Sequence, residues 1–459
     1  MNVFELGTPG GHEVCSTSGR MLGGSRIWND RSELVIERPW FNTTPLFIAI
    51  ENRRARLGAS WRSLGPFGDL DLIYVQDYVR YQTPFSGRTF STNINLIRNG
   101  ERWAVSENAR RVARLDLPNP SDERLEEILE RELISAGRDA VYHLSSGLDS
   151  SLLAMMGRRL HGRARAATFR ARGPGASQEL QIITRLAQDK DIDLEIHDFT
   201  EIDIWKEGID LINDGLPYPI AHPSHLVRYL LDRCLSRQKV RTIVTGRGPD
   251  EMLGGYAAHR PEFRDATAYS QRVTCTSEAW VRRLFRDPQQ SVASRAYVAA
   301  ANAGKLSLQS ILKSDLHGIF EAWNIVESGL SRALSVKYIN PFLAPEAAAH
   351  MFARPERDKI LNGEQKVLLR RRFSDIYPDY ILQQQKIGLT LDIGSYLEQD
   401  TVASIVRRLY EDSEFGQKFL RRDGLVALVD DTLSRQSNYG WQIWSLYLCH
   451  LAYSTLFSK

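Results

Sequence analysis

Two short stretches of this chain set hydroxyls, glycines and carboxylates side by side in an order that suits phosphate chemistry. The first is Leu144-Ser145-Ser146-Gly147-Leu148-Asp149-Ser150-Ser151. Its small residues let the N–H groups of Ser145, Ser146 and Gly147 approach an anion. Ser150 and Ser151 add hydroxyls at a helix start, where the backbone carries partial positive charge. Such a turn can cradle pyrophosphate. A carboxylate at Asp149 would repel phosphate unless a divalent cation lay between them, so the same turn implies Mg²⁺. Taken alone, the string reads equally as an ordinary strand-to-helix turn capped by serines. The balance is tipped by Thr245-Gly246-Arg247-Gly248-Pro249-Asp250-Glu251-Met252-Leu253-Gly254-Gly255-Tyr256, a second glycine-rich stretch with acids. Asp250 and Asp149 could share one metal. Leu144, Ser145, Ser146, Gly147, Asp149, Ser150, Gly246 and Gly248 are the candidate nucleotide-binding positions.

Strands must carry both stretches. Residues 139–144 form a short apolar run, and Lys239–Val244 is β-prone, with Val240, Thr242 and Val244 alternating on one face. If both strands lie in one parallel sheet, their loops open at its carboxyl edge, where ligands of open α/β sheets bind. The surrounding pattern agrees with that. Arg165–Arg170 reads as a strand, Leu180–Gln188 as a helix and Leu194–His197 as a strand, which is βαβ alternation. Phe169, at the end of the Arg165–Arg170 strand, reads as a core residue or, as the family resemblance set out below implies, as a face for adenine. Upstream, Leu125, Ile128, Leu129, Leu133 and Ile134 draw one apolar stripe on a charged helix that Ser121 can cap. The prolines of Leu117-Pro118-Asn119-Pro120 mark a boundary before it. In residues 1–118, Glu33–Ile36, Pro45–Ile50 and Ala55–Ser60 are β-rich, and Asp69–Tyr81 has helical spacing. Asn99-Gly100 predicts a hairpin turn between Ile94–Ile97 and Arg102–Val105. From about residue 265 strands are expected to stop and helices to run to the end.

Composition narrows the class. With 459 residues the expectation is two domains. A net charge of +3 is too small to argue for nucleic acid, and Arg370-Arg371-Arg372 reads as a solvated helix face. No apolar run approaches a membrane span and no secretion signal opens the chain, so a cytoplasmic protein without a membrane partner is expected. Cys15, Cys234, Cys275 and Cys449 lack metal-ligand spacing and are expected to be free thiols. His222 and His225 are read as part of a polar loop over the cleft, with metal ligation as the alternative.

The pair of loops resembles the nucleotide-binding half of the asparagine synthetase family, whose loops read S-G-G-x-D-S and G-E-G-A-D-E-x-x-G-G-Y. The resemblance covers roughly residues 140 to 400. It implies an α/β fold: a parallel-sheet PP-loop synthetase domain over 119–459, with its sheet core to about 264 and a helical cap over 265–459. A truncated α+β glutaminase-like domain would precede it over 1–118. ATP and Mg²⁺ are implied, with adenylation of a carboxylate, release of pyrophosphate and AMP, and attack by an amine. Glu364-Gln365-Lys366-Val367-Leu368-Leu369-Arg370 looks like the family's E-K-x-x-L-R, making Lys366 a phosphate-binding candidate. Lys386-Ile387-Gly388 resembles the late Lys-x-Gly, making Lys386 the candidate for the reacting centre.

Departures from the family pattern matter as much. Arg38–Phe47 looks like later strands of the family's glutaminase domain, but family glutaminases use a cysteine just after the initiator Met, and Asn2 stands there. Cys15 is not terminal and is taken as structural, so glutamine is not expected as nitrogen source. Ser146 replaces a usual glycine. Position 247 is glutamate in asparagine synthetases and tyrosine in the related β-lactam synthetases; here it is Arg247, the second catalytic candidate. Ser335–Leu343 resembles G-V-E-x-R-x-P-F-L, with Lys337 where the glutamate stands. Two cations in place of proton acceptors suggest an anionic group on a substrate. A shifted alignment would leave Tyr338 or Glu327 as the base. Relatives with a decayed glutaminase half include lasso-peptide macrolactam cyclases and β-lactam synthetases, so the expected partners are a carboxylate substrate, an amine donor and biosynthetic partner proteins. An ammonia-dependent asparagine synthetase and a non-catalytic ATP-binding protein are the competing expectations.

Overall fold

The computed structural model describes residues 3–8, 11–14, 20–30, 33–51, 54–65, 68–83, 86–106, 110–120, 123–214, 222–290, 306–384, 387 and 391–457. Short amphipathic runs at the start of the chain pair into two five-stranded sheets. One has the order β2-β1-β7-β6-β8, from β1 (Val3–Thr8), β2 (Gly11–Val14), β6 (Leu46–Glu51), β7 (Arg54–Gly58) and β8 (Ile94–Ile97). The other has the order β10-β9-β5-β4-β3, from β3 (Arg20–Leu22), β4 (Ser25–Asp30), β5 (Glu33–Arg38), β9 (Glu101–Val105) and β10 (Arg110–Arg114). Ile27, Leu34, Ile36, Ile48, Leu57, Ile97 and Trp103 form the core shared by the two sheets. The helical spacing before Tyr81 gives α1 (Leu72–Tyr81), which Asp71 caps by accepting the Tyr74 N–H at 3.1 Å.

The expected Asn99-Gly100 hairpin is not formed: β8 and β9 belong to different sheets. Asn99 instead turns a corner. Its N–H and Nδ2 both donate to Glu321 Oε1, at 2.8 and 2.6 Å, and Gly100 N–H donates to Arg38 O. Gly100 sits at φ 70° with no room for a side chain, since a Cβ would lie 2.0 Å from the Trp40 ring. Glu321 also accepts both terminal nitrogens of Arg38 at 3.0 Å in a fully buried pair. A tertiary acceptor has overridden the local turn preference, and it ties the first unit to a helix of the second.

The second unit begins with α2 (Leu125–Ala136), preceded by Arg124 at the N-cap; Ser121 lies outside the described residues. Leu125, Ile128, Leu129 and Leu133 are buried as the stripe requires, but Ile134 is 61% exposed. Five parallel strands follow in the order β13-β12-β11-β14-β15: β11 (Val141–His143), β12 (Arg165–Arg170), β13 (Asp193–Asp198), β14 (Thr242–Val244) and β15 (Lys337–Ile339). The last corrects the expectation that strands end near residue 265. Three residues are too few to show a period, and tertiary pairing with β14 makes the strand. A two-stranded pair, Ile360–Leu361 with Glu364–Gln365, follows later in the chain.

Alternation along the central strands sorts side chains to two cores. Val141 and Ile243 face a cluster with Leu211 of α5 (Ile204–Asp214) and Leu226, Tyr229 and Leu230 of α6 (Pro223–Arg237). Tyr142 and Val244 face one with Leu152 and Met156 of α3 (Leu148–His161) and Leu186 of α4 (Ala176–Asp189). A sheet covered on both faces exposes its chemistry only at the strand ends. Each such aliphatic side chain contributes about 1.5–3 kcal/mol of burial, which fixes those ends in place.

Candidate active site

β11 is flanked by β12 on one side and β14 on the other, so the chain order of the sheet reverses there and a crevice opens beyond the strand ends. The two loops meet in it. A Cβ on Gly246 would lie 2.7 Å from the Ser150 nitrogen and 3.0 Å from the Asp149 carbonyl carbon, so only glycine allows the second loop to lie against the first. The first loop folds on itself: Ser145 N–H donates to Ser150 Oγ at 3.1 Å, Gly147 N–H donates to Ser145 Oγ at 3.2 Å, and the two hydroxyls are 2.7 Å apart. Ser146 N–H donates to Glu179 Oε1 at 2.7 Å, and its hydroxyl also bonds to that carboxylate. All three amides expected to meet phosphate therefore hold protein acceptors. Burial raises the Glu179 carboxyl above its ordinary range, opposed by the Ser146 hydrogen bonds. Glu179 enters from the first turn of α4, 33 positions from Ser146. Only the fold reveals it, since an acid in a first helical turn ordinarily signals nothing beyond the dipole.

Asp149 and Asp250 converge on one point, and that point is Lys366 Nζ, at 2.5 and 2.7 Å. Lys366 is a phosphate candidate by resemblance; here it bridges the carboxylates. It has φ 57° at the start of the Val367–Arg372 helix and is 6% exposed. Burial disfavours its charge, but Asp149 and Asp250 outweigh that and hold its pKa above the ordinary lysine range. Gly255 packs on the triad: a Cβ there would lie 1.9 Å from Asp250 Oδ1. Beside it Glu251 accepts the Tyr256 hydroxyl at 2.7 Å, and burial, reinforced by Asp250, pushes its carboxyl up to about 7.

Arg247 points to the Ile319–Leu334 helix, pairing with Glu327 and donating to Asn324 Oδ1 at 3.0 Å. Glu327 also accepts from Arg228 at 3.0 Å and Asn340 at 2.9 Å, and Arg228 bonds Asp232 at 2.8 Å. Asp232 in turn lies 2.7 Å from His143 Nε2, at the end of β11, and accepts the Tyr338 hydroxyl at 2.5 Å. Two arginines thus face two carboxylates. Burial pushes His143 below the ordinary histidine range, partly offset by Asp232. Lys337 is exposed at the start of β15 and does not line the cavity. The expectation of two spare cations for an anionic substrate group therefore fails: one is paired within the protein and the other points away.

A cavity of about 1300 Å³ connects these parts. Leu144, Ser145, Ser146, Gly147, Asp149, Ser150, Phe169, Gly246, Arg247, Gly248, Asp250 and Lys366 all line it. Phe169 is half-buried there and stacks on Phe199 at 6.2 Å, so it is core neighbour and cavity wall at once. Arg370 corrects the solvated-face reading: it lines the cavity and donates to Gln365 O at 2.9 Å, while Arg371 and Arg372 are exposed. His222 and His225 lie not in a loop but at the start of α6, where His222 accepts the Ser224 N–H at 3.2 Å. Proline at the first helical position was the signal for that start. Their rings pack on Trp441 and Trp323, and among the described residues no cluster of three His, Cys, Asp or Glu side chains is placed to hold a metal. Cys234, Cys275 and Cys449 are free thiols. Lys386 and Cys15 lie outside the described residues, among which no helix is long and apolar enough to cross a membrane.

Helices on both faces of a parallel sheet, with two acidic hydroxyl- and glycine-bearing loops meeting at its switch point, define an α/β fold with its site at the carboxyl edge of the sheet. Residues 121–456 match the family model described as asparagine synthase, and the chain belongs to that family. It is 19% identical over 516 aligned positions to asparagine synthetase [glutamine-hydrolyzing] 1 of Bacillus subtilis, covering 94% of this chain and 77% of that protein. It is 22% identical over 275 positions to putative asparagine synthetases [glutamine-hydrolyzing] of Mycobacterium bovis and Mycobacterium tuberculosis, covering 51% of this chain and 42% of theirs. This kinship supports an ATP-dependent amide ligase in general.

Proposed function

We propose that this chain activates a substrate carboxylate as its adenylate, with pyrophosphate and AMP as products, and passes the acyl group to an amine in specialised peptide or small-molecule biosynthesis. The observation that carries the reading is the convergence of Asp149 and Asp250 on one point beside the hydroxyl loop. Mg²⁺ commonly binds through one or two carboxylates plus substrate phosphates, and a two-carboxylate site opening on a phosphate-sized loop suits that habit. Asp149 and Asp250 would hold the ion, which supplies positive charge to a departing pyrophosphate. Ser145, Ser150 and the amides of the first loop would hold the pyrophosphate, exchanging their internal hydrogen bonds for phosphate oxygens. Lys366 would shift from bridging the carboxylates to meeting phosphate charge. Lys386, by resemblance, would act at the reacting centre.

Macrolactam or β-lactam formation is the finer form of this reading, carried by the resemblance; Arg247, held by Glu327, departs from the glutamate of asparagine synthetases and from the tyrosine of β-lactam synthetases alike. The relatives, named as asparagine synthetases, favour a second reading, synthesis of asparagine. Products of ATP turnover test the chemistry common to both. Incubation with ATP, Mg²⁺ and a panel of carboxylates should yield AMP and pyrophosphate in equal amounts; ADP and phosphate would refute adenylation.

A further inference from the structure

The cavity is larger than a single small-molecule site requires, and its walls are of two kinds. At about 1300 Å³ it exceeds the roughly 300–1,000 Å³ usual for a single small-molecule site. One end holds the loops, Lys366 and the carboxylates. The other is walled by rings: Tyr81, His222, His225, Trp323 and Trp441. They come from four separate elements, the end of α1, the start of α6, the Ile319–Leu334 helix and the first turn of the Gly440–Leu456 helix. His222 meets Trp441 at 4.5 Å and 70°, and His225 meets Trp323 at 4.4 Å and 83°, both edge to face. Such pairs fix ring orientation and leave apolar faces for a ligand. Burial pushes His222 down to about 4, so the ring is neutral at physiological pH.

Charge at this end is already balanced. Arg228 and Arg247 line it; Arg228 is bonded to Asp232 and Glu327 and Arg247 to Glu327, two cations against two anions. Of the other cations that line the cavity among the described residues, Lys366 is paired with Asp149 and Asp250, Arg260 and Arg370 both donate to Gln365 next to Lys366, and Arg272 is exposed and lies 6.0 Å from the Phe263 ring. A small doubly charged acid would lose its hydration here without gaining a buried partner.

We propose that this ring-walled half is a substrate subsite for a large uncharged group, an aromatic ring or an aliphatic chain of similar bulk, carried on the carboxylate substrate. The proposal rests on the adenylation reading, which assigns the loop end to ATP and leaves this end to the second substrate. It also gives the first unit a part in the site, because Tyr81 at the end of α1 and Gln82 and Thr83 just after it supply wall.

Calorimetric titrations of the full chain decide it. With Mg²⁺ and α,β-methylene-ATP present, indolepropionate and phenylpropionate should bind at least about tenfold more tightly than aspartate or succinate. Trp441→Ala and Trp323→Leu should each lower the affinity for the aryl acids by about tenfold. Circular dichroism reports folding; should Trp323→Leu not fold, Trp441→Ala, at a half-buried first-turn position, decides alone. Aspartate binding as tightly as the aryl acids, or aryl affinity unchanged in a folded Trp441→Ala, overturns the subsite. Failure of the unaltered chain to bind α,β-methylene-ATP would instead refute the adenylation reading, and the aryl titration without nucleotide would still decide the subsite.

Discussion

Replacing Lys366 by methionine keeps the bulk of the side chain and removes one charge from a buried triad. Asp149 and Asp250 would then face each other without the cation that lies 2.5 and 2.7 Å from them. Removing one member of a buried ion pair typically costs about 3–5 kcal/mol, because a desolvated charge is left uncompensated. For a unit of this size the unfolding entropy is roughly 0.7 kcal/mol/K, so the variant should melt roughly 4–7 °C lower. The sign can be checked in a second way. If the carboxylates form a latent cation site, Mg²⁺ should raise the melting temperature of Lys366→Met more than that of the unaltered chain, since binding to the folded state alone stabilises it. Asp149→Asn in the same background should recover part of the loss, with a coupling of about 1–3 kcal/mol. Thermal denaturation with and without Mg²⁺, on both single variants and the double, is the assay. An unchanged melting temperature in Lys366→Met, or strictly additive effects, would show that the triad does not hold together as described.

Two further outcomes are expected. Glu251 has its folded pKa raised from an ordinary 4.5 to about 7, so the folded state keeps a proton that the unfolded state loses. Stability should therefore fall as pH rises from 4.5 through 7 and level off above, by about 3 kcal/mol for the full shift; Glu251→Gln should flatten that slope in pH-dependent denaturation. Lys386→Ala should bind ATP with similar affinity but form product about a hundredfold more slowly in a single turnover, as expected for a charge that acts in the transition state.

The two loops were legible because each follows an apolar run and is built of residues with few other reasons to stand together. What escaped the sequence depended on partners far along the chain. Asn99-Gly100 is a strong local turn signal, but Glu321 accepts both Asn99 donors and the hairpin is lost. Lys337–Ile339 is too short to show alternation and becomes a strand only by pairing with Thr242–Val244. Arg247 reads as a spare cation until Glu327, 80 positions later, is found beside it. Glu179 has no local signal for its hold on Ser146. Ile134 follows Leu133 in sequence yet faces solvent, because at about 100° per residue it lies on the face opposite Leu125, while Ala136 in the same turn comes back to the packed side.

The central claim is that Asp149 and Asp250 together serve the release of pyrophosphate from ATP. Exchange of radiolabelled pyrophosphate into ATP, stimulated by a carboxylate substrate and dependent on Mg²⁺, measures that step in reverse without requiring an amine. The account predicts exchange in the unaltered chain and its loss, or a fall of at least about a hundredfold, in both Asp149→Asn and Asp250→Asn. Undiminished exchange in either folded variant would contradict it.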